Sequence, residues 1–177
     1  MNDLIVSLSS KSTIKKALFD LLVVIAIYFV PAIAHIFSYP VYIFDPMRIV
    51  IVMSIIYTNR HNAFLLAATL PIFSFLVSAH PYFYKALIIT SELSINVFLF
   101  FFLKDKFKNL FAALFASIVI AKIFYYAVKS TLVAFALIGT DVVSTPLYVQ
   151  LIVAVILSVY IQFFISNKLK YKIINDK

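Results

Sequence analysis

The chain of 177 residues is 64% hydrophobic and 12% charged, and its mean hydropathy is +1.08. Soluble domains contain about 25% charged and about 45–50% apolar residues, so a soluble fold of this length is excluded and lipid is the expected solvent for most of the chain. The absence of cysteine excludes disulfides, thiolate metal sites and cysteine nucleophiles. The net charge of +8 comes mostly from Lys and Arg at the ends of apolar runs. That placement fits contact with membrane headgroups and argues against nucleic-acid binding.

Six apolar stretches predict an all-α integral membrane protein with six transmembrane helices in a single domain, residues 1–177. About 20 apolar residues cross a bilayer core of roughly 30 Å. The predicted spans lie at about residues 14–37, 47–57, 63–78, 81–103, 110–128 and 146–166. The second span is short and follows the break at Asp45-Pro46. Residues 131–138 are still apolar, so they either extend the fifth helix or form a loop over the outer face.

The basic residues predict that both termini are cytoplasmic, because cytoplasmic loops carry the excess of Lys and Arg. With six spans, eleven of the 15 basic residues share one side: Lys11, Lys15, Lys16, Arg60, Lys104, Lys106, Lys108, Lys168, Lys170, Lys172 and Lys177. A cleavable signal peptide is the alternative for the N-terminal segment, since a basic start and an apolar run precede Pro31-Ala32-Ile33-Ala34. Its removal would leave five spans and spoil the alternation of charge.

The fourth span carries polar residues that a lipid-facing helix would not hold. Counted inward from Pro81 at about 1.5 Å per residue, Lys85 lies about 6 Å deep, Glu92 about 16 Å and Asn96 about 22 Å. At about 100° per residue these side chains fall near one line along the helix. A charge at mid-bilayer costs at least about 2.5–3.5 kcal/mol, so this polar line is expected to face the protein interior or a wet cavity.

The fifth and sixth spans also place polar residues in their outer halves. Lys122 and Lys129 are seven residues apart and therefore share a helix face, which Tyr125 and Tyr126 flank. Gln150 lies in the outer part of the sixth span. The inner halves of the last three spans are almost purely apolar, so the polar groups are concentrated toward the outside.

Two interpretations of these polar residues stay open. In one, Glu92 pairs with Lys122 or Lys85 and holds the helices together without a ligand. In the other, which the surplus of lysines favours, an outward-facing cavity binds a small anionic solute, because buried positive charge requires a counter-charge and tyrosine rings can stack on a ligand ring. For Lys129 an alternative is extension to the headgroups. The predicted substrate-binding residues are Lys85, Glu92, Asn96, Lys122, Tyr125, Tyr126, Lys129 and Gln150.

The segment between the first two spans, His35–Arg48, is predicted to lie outside. It contains two prolines, which restrict its turns, and aromatic residues that suit the membrane interface. It is either a lid over the cavity or an ordinary interfacial loop. As a lid, its candidate residues are Tyr39, Tyr42, Asp45 and Arg48.

The layout and the segment HPYFYKALIITSEL (His80–Leu93) resemble the substrate-binding S components of energy-coupling factor (ECF) vitamin transporters. The shared features are chain length, six helices with cytoplasmic termini, and a proline at the start of helix four followed by a basic residue and a carboxylate; the resemblance covers about residues 14–166. It implies an S-component-like bundle whose helices four to six bind a vitamin-like solute under a lid formed by the first loop. One departure concerns Ala17, Ala26, Ala32 and Ala34, which lack the A-x-x-x-A spacing that family members often use on helix one to dock the coupling subunit.

The resemblance also implies partners and a location. The chain would sit in the inner or plasma membrane of a prokaryote, capture the solute outside, and associate with an ECF transmembrane coupling subunit and two cytosolic ATPases that drive uptake. The chain itself would not be an enzyme, and no catalytic residue, metal site or cofactor is predicted.

Two other classes of function are compatible with such a chain. A structural membrane protein of the type of the rod-shape morphogenesis subunit MreD, whose fold resembles S components, would bind a partner protein and no small molecule. A membrane enzyme acting on lipid would need a catalytic constellation, and the sequence contains no acidic pair or metal triad. Solute capture and scaffolding are therefore the two main hypotheses.

Overall fold

The computed structural model describes residues 13–14, 17–22, 25, 41–78, 81–107, 109–139, 141–143 and 145–175, without the side chains of 41, 42, 78 and 165–175. Throughout this described part the secondary structure is helical, with no strand. A short 3-10 helix, Val41–Phe44, precedes five α-helices. These are α1 (Pro46–Tyr57), α2 (Arg60–Ser78), α3 (Phe83–Lys104), α4 (Leu110–Ala134) and α5 (Leu147–Asn175).

Four helices, α2 to α5, are long and apolar enough to cross a membrane, which is consistent with a multi-pass membrane protein. Helix α1 has 12 residues and spans only about 18 Å at 1.5 Å per residue. The predicted spans two to six correspond to α1 to α5. Most of the predicted first span, residues 14–37, lies outside the described residues, so the count of six spans and the orientation of the termini stay predictions.

Local sequence signals explain where the helices begin. Pro46 occupies the first turn of α1, where its missing N–H costs nothing. Asn109 caps α4, because its side-chain oxygen accepts a hydrogen bond from the Phe111 N–H at 2.9 Å. Pro71 lies inside α2 and is buried, a position that helices in membranes tolerate when neighbouring groups satisfy the freed backbone.

Helix α3 lies at the centre of the described bundle and packs mainly against α2 and α4, while α5 packs against α4 and α1. One apolar cluster joins α1, α3, α4 and α5, and a second joins α1, α2 and α3. Ala63 and Ala67 are fully buried, and small side chains of this kind allow close approach between helices, where dispersion replaces the hydrophobic effect as the source of stability in lipid. Large apolar side chains such as Leu76, Ile123 and Phe163 point outward, as expected of a lipid-facing surface.

Helix α4 ends in a Schellman motif whose left-handed residue is an alanine. The Leu137 N–H donates to the Leu132 carbonyl at 3.0 Å, and the Ala136 N–H donates to the Val133 carbonyl at 2.9 Å. Ala136 has a φ of 55°. Helix α4 therefore extends past its predicted end at about residue 128 to Ala134. Residues 131–134 continue the helix and residues 135–138 form the turn after it; that this turn lies over the outer face stays a prediction.

We expect Ala136→Gly to stabilise the protein. The left-handed conformation costs about 1–2 kcal/mol for a residue with a Cβ, and the larger entropy of unfolded glycine offsets about 0.5–1 kcal/mol of that gain. Because Ala136 is exposed, no packing is lost. Thermal unfolding of the purified protein in detergent should show a melting temperature higher by about 1–4 °C. Ala134→Gly, in the regular last turn of α4, should lower it, and a lower value for Ala136→Gly would contradict the prediction.

Candidate functional site

Four charged side chains from three helices meet inside the bundle; we call Asp45, Arg48, Glu92 and Lys122 the charge quartet. The Arg48 guanidinium donates one hydrogen bond from Nε to Asp45 at 2.9 Å and another from Nη2 to the Glu92 carboxylate. Lys122 Nζ lies 3.2 Å from Asp45 and 3.0 Å from Glu92. Each cation therefore bridges both carboxylates, and the quartet is a closed ring of ion pairs with no net charge.

Two members of the quartet are more deeply buried than the other two. The side chains of Arg48 and Glu92 are only 2% and 3% exposed, whereas those of Lys122 and Asp45 are 22% and 25% exposed. Arg48 and Glu92 are thus almost fully desolvated, and their charges depend on their partners for stability. Lys122 and Asp45 remain partly exposed and form the part of the ring that a ligand could approach.

The backbone before α1 explains how Asp45 reaches Lys122. Asp45 has φ 52° and ψ 59°, a left-handed conformation that aspartate tolerates better than most residues. Its carbonyl accepts from the Arg48 and Ile49 N–H groups at 3.0 and 3.2 Å and so begins the helix. Its carboxylate makes no capping hydrogen bond, which leaves the side chain to bind the two cations.

The charge on Asp45 is stabilised by its neighbours. Burial acts to raise the pKa of the Asp45 carboxyl, but the positive charges and hydrogen bonds of Lys122 and Arg48 outweigh it and hold the pKa well below its usual range. Asp45 therefore stays ionised at neutral and mildly acidic pH.

A second polar contact lies one helical turn from Glu92, deeper along α3. Asn96 is fully buried, and its Nδ2 donates to Ser117 Oγ at 3.1 Å. The Ser117 hydroxyl donates in turn to the Leu114 carbonyl at 2.7 Å. Since that hydroxyl proton is already used, it is not available to the side-chain oxygen of Asn96.

Two buried polar atoms in this region have no hydrogen-bond partner among the described residues: Arg48 Nη1, a donor, and Asn96 Oδ1, an acceptor. A third atom of this kind, Thr90 Oγ1, lies about 200° around α3 from Glu92 and so belongs to another face. A buried polar atom without a partner costs about 1–3 kcal/mol, and such atoms in a folded protein call for a ligand or ordered water.

Four other predicted site residues lie in the C-terminal half of α4 and near the start of α5: Tyr125, Tyr126, Lys129 and Gln150. Lys129 is fully buried and donates to the Asp141 backbone carbonyl at 2.7 Å, so its ammonium group is held inside the described part of the protein. Gln150 Nε2 donates to the Tyr126 hydroxyl at 2.5 Å and to the Thr145 carbonyl at 2.8 Å.

Tyr125 links the two lysines of α4. Its ring centroid lies 5.1 Å from Lys122 Nζ and 5.9 Å from Lys129 Nζ, distances at which a cation is attracted to an aromatic face. Lys85 is half-buried and forms no ion pair with the described residues. The Tyr125 ring thus contacts both lysines of α4, one inside the quartet and one outside it.

The structure brings Glu92 and Lys122 together with two candidate lid residues, Asp45 and Arg48. The Glu92–Lys122 contact is the pair that the network interpretation predicts. The expected surplus of lysines over carboxylates does not extend to the quartet, because Asp45 and Arg48 enter it and balance its charge. Of the other lid candidates, Tyr39 and the side chain of Tyr42 lie outside the described part of the chain.

Sequence reasoning missed Ser117, although the register of the α3–α4 hairpin contains the signal. The turn between these antiparallel helices centres on residue 107, so residues whose numbers add to about 214 lie at the same level. Glu92 and Lys122 satisfy this relation, and so do Asn96 and Ser117 within one residue. Lys85 and Lys129 also satisfy it, which places these two lysines level with each other.

The chain matches no protein-family model, no curated protein and no solved structure. Its class therefore follows from its own features. Its described residues form helices and no strand, and four of these helices are long and apolar enough to cross a membrane. A neutral ring of charges joins the start of α1 to α3 and α4, and among the described residues Arg48 Nη1 and Asn96 Oδ1 find no hydrogen-bond partner.

We expect a double-mutant cycle to show strong coupling between Arg48 and Glu92. Arg48→Met or Glu92→Leu alone leaves an uncompensated buried charge and should cost about 3–5 kcal/mol. The double variant leaves the neutral Asp45–Lys122 pair, so its loss of unfolding free energy should be well below the sum of the two single losses. Denaturant unfolding in detergent measures all four species. Ser91→Ala, an exposed change on α3, should stay within about 0.5 kcal/mol of the native protein, and additive losses in the cycle would contradict the coupling.

We expect Asp45→Asn to lower stability at neutral pH but not in acid. Asparagine also tolerates the left-handed backbone, so this change isolates the charge. Because the pKa of Asp45 is depressed in the folded state, its contribution is present above the ordinary carboxyl pKa of about 3.9 and is lost as the pH falls toward the folded pKa. Melting temperatures measured at falling pH should therefore converge. A gap between the two proteins that stays constant as the pH falls would contradict the assignment to Asp45.

Proposed function

We propose that this chain is a substrate-binding membrane subunit that captures a small, vitamin-like anionic solute beside the charge quartet, for ATP-driven uptake of the ECF type. The observation that carries the proposal is that two buried atoms, Arg48 Nη1 and Asn96 Oδ1, have no hydrogen-bond partner in the described part of the chain. A purely structural network would satisfy its buried polar atoms, since each unsatisfied one lowers stability. A solute that offers an acceptor to Arg48 and a donor to Asn96 would satisfy both.

The charge around the quartet supports an anionic solute. The quartet is neutral, so the nearby lysines are not neutralised by its carboxylates. Lys85 has no carboxylate partner in the described part of the chain, and the hairpin register places it level with Lys129. Positive charge therefore extends from Lys122 toward the predicted outer end, past the Tyr125 ring, which could stack on a planar ligand.

The position of the lid candidates also supports this function. Asp45 and Arg48 join the segment before α1 to Glu92 of α3 and Lys122 of α4. A segment held at the binding residues themselves would respond to a solute that competes for the same charges. The six spans, the cytoplasmic termini, the prokaryotic plasma membrane, the coupling subunit and the two ATPases belong to the proposal through the resemblance to S components.

The closure of the quartet favours one other function. Because its four charges satisfy one another, the ring could hold α1, α3 and α4 together without any solute. A scaffolding membrane protein of the MreD type would use such a bundle to bind a protein partner. The two functions differ in what fills the unpaired atoms, namely a solute in the first and water in the second.

We expect the purified protein to bind one member of a panel of vitamins and vitamin precursors with one-to-one stoichiometry. Native mass spectrometry and ligand-dependent thermal shifts measure this, because a ligand that binds only the folded state raises its stability. Lys122→Ala and Glu92→Gln should weaken binding. Asn96→Leu removes the unpaired acceptor at similar volume, so we expect at least about a tenfold higher Kd, equivalent to about 1.4 kcal/mol.

The matched control is Ser91→Ala, an exposed change on the same helix that should leave the Kd unchanged. Asn96→Leu should keep a melting temperature close to that of the native protein in the absence of ligand, which separates lost binding from lost folding. If no panel member binds and affinity purification from the native membrane recovers only cell-wall machinery, the scaffolding function replaces solute capture.

A further inference from the structure

One end of the described bundle carries three cations that rest on phenylalanine rings. We call this group the basic edge, and it consists of Arg60, Lys104, Lys106, Phe64, Phe101 and Phe102. The Arg60 guanidinium carbon lies 5.4 Å from the centroid of the Phe101 ring, and Lys104 Nζ lies 4.7 Å from the same centroid. Two cations therefore share one aromatic ring.

The remaining contacts extend this arrangement on both sides. Arg60 also lies 5.8 Å from the centroid of Phe64, and Lys106 Nζ lies 4.2 Å from that of Phe102. Helix α2 begins at Arg60 and the antiparallel α3 ends at Lys104, so both helix ends contribute to the same surface. Cation–π contacts hold these side chains in place and reduce the entropy that they would lose on binding an anion.

The basic edge keeps a net positive charge, because its three cations outnumber the one acidic residue beside them, Asp105. Its three cations are exposed and none of them forms an ion pair with another described residue. Arg60 and Lys104 lie within about 10 Å of each other, because each is about 5 Å from the Phe101 centroid. This separation is close to the Debye length of about 8 Å at physiological salt. Their repulsion is therefore only partly screened, and an anion between them would relieve it.

An apolar surface continues from the basic edge toward the middle of the bundle. Phe98 and Phe102 stack with a centroid distance of 6.3 Å and an interplanar angle of 8°. Both rings are about half exposed, at 52% and 48%. A ligand with a phosphate and a long apolar chain would therefore meet cations first and stacked rings next, an order that free phosphate or an acidic peptide does not match.

We propose that the basic edge binds an anionic phospholipid of the surrounding bilayer, with its phosphate between Arg60 and Lys104 and an acyl chain along Phe98 and Phe102. Basic clusters at a membrane surface attract anionic lipid by about 1 kcal/mol per Lys or Arg. The surface lies about 18 Å from Glu92, since twelve residues of α3 separate Glu92 from Lys104. The proposal is therefore independent of solute capture at the quartet.

The test compares phosphatidylglycerol with phosphatidylcholine, two lipids that differ in headgroup charge. Native mass spectrometry of the full-length protein, titrated with each lipid in detergent, should show at least about fivefold greater retention of phosphatidylglycerol. Arg60→Gln combined with Lys104→Gln should reduce that preference to nearly one, because the phosphate loses both cations. Asp105→Asn, which removes a neighbouring negative charge, should preserve or increase it.

Two controls separate this site from general electrostatic attraction. A triple variant in which Lys168, Lys170 and Lys172 are replaced by Gln loses more charge than the double variant but keeps Arg60 and Lys104, so the preference should persist. Glycerol phosphate without acyl chains should not compete with the lipid. The proposal is overturned if the double variant keeps the preference, if the C-terminal variant loses it equally, or if glycerol phosphate displaces the lipid. The melting temperature of each variant in neutral detergent confirms that it is folded.

Discussion

The ion pair between Arg48 and Glu92 constrains the rest of the described bundle. Both side chains are almost completely removed from solvent, and either charge alone would be strongly unfavourable there. The pair therefore requires α1 to lie against α3. It also requires Lys122 of α4 and the left-handed Asp45 to complete the balance of charge. Helix α1 has only 12 residues and is too short to cross a bilayer, so the buried side chain of Arg48 fixes its position in the bundle.

The neutrality of the quartet changes what the site can do. In the proposed function, a neutral ring with one donor and one acceptor that lack partners among the described residues selects a solute by its hydrogen-bonding pattern, whereas a surplus of lysine would bind almost any anion. Lys85 and Lys129, which lie outside the quartet, attract the solute by their charge, and the buried atoms of Arg48 and Asn96 recognise it. The same ring, without a solute, is also sufficient to hold three helices together.

Helix α3 connects two surfaces of different chemistry. Near its middle, Glu92 and Asn96 meet polar partners on α1 and α4, where desolvation makes each hydrogen bond important. At its end, Phe101, Phe102 and Lys104 form a half-exposed surface in which aromatic rings hold cations without carboxylates. Between them, Val97 and Phe100 are buried against neighbouring helices, so a packed interior separates the two surfaces on that side of α3.

The amino-acid sequence by itself determined the helices that the described residues contain, because long apolar runs between charged ends leave a chain in lipid no other way to satisfy its backbone. It also determined which residues of α3 and α4 can meet, since a short turn between antiparallel helices sets their register; Glu92–Lys122 follows from it, and Asn96–Ser117 could have been found the same way. Only the tertiary structure decided that Arg48 points inward, that Asp45 adopts a left-handed backbone, and that the quartet is neutral. Those features depend on how α1 packs against α3 and α4. That packing is set by a balance of desolvation and ion pairing between residues up to 77 positions apart, from Asp45 to Lys122. A local sequence pattern contains no information about contacts over such a distance.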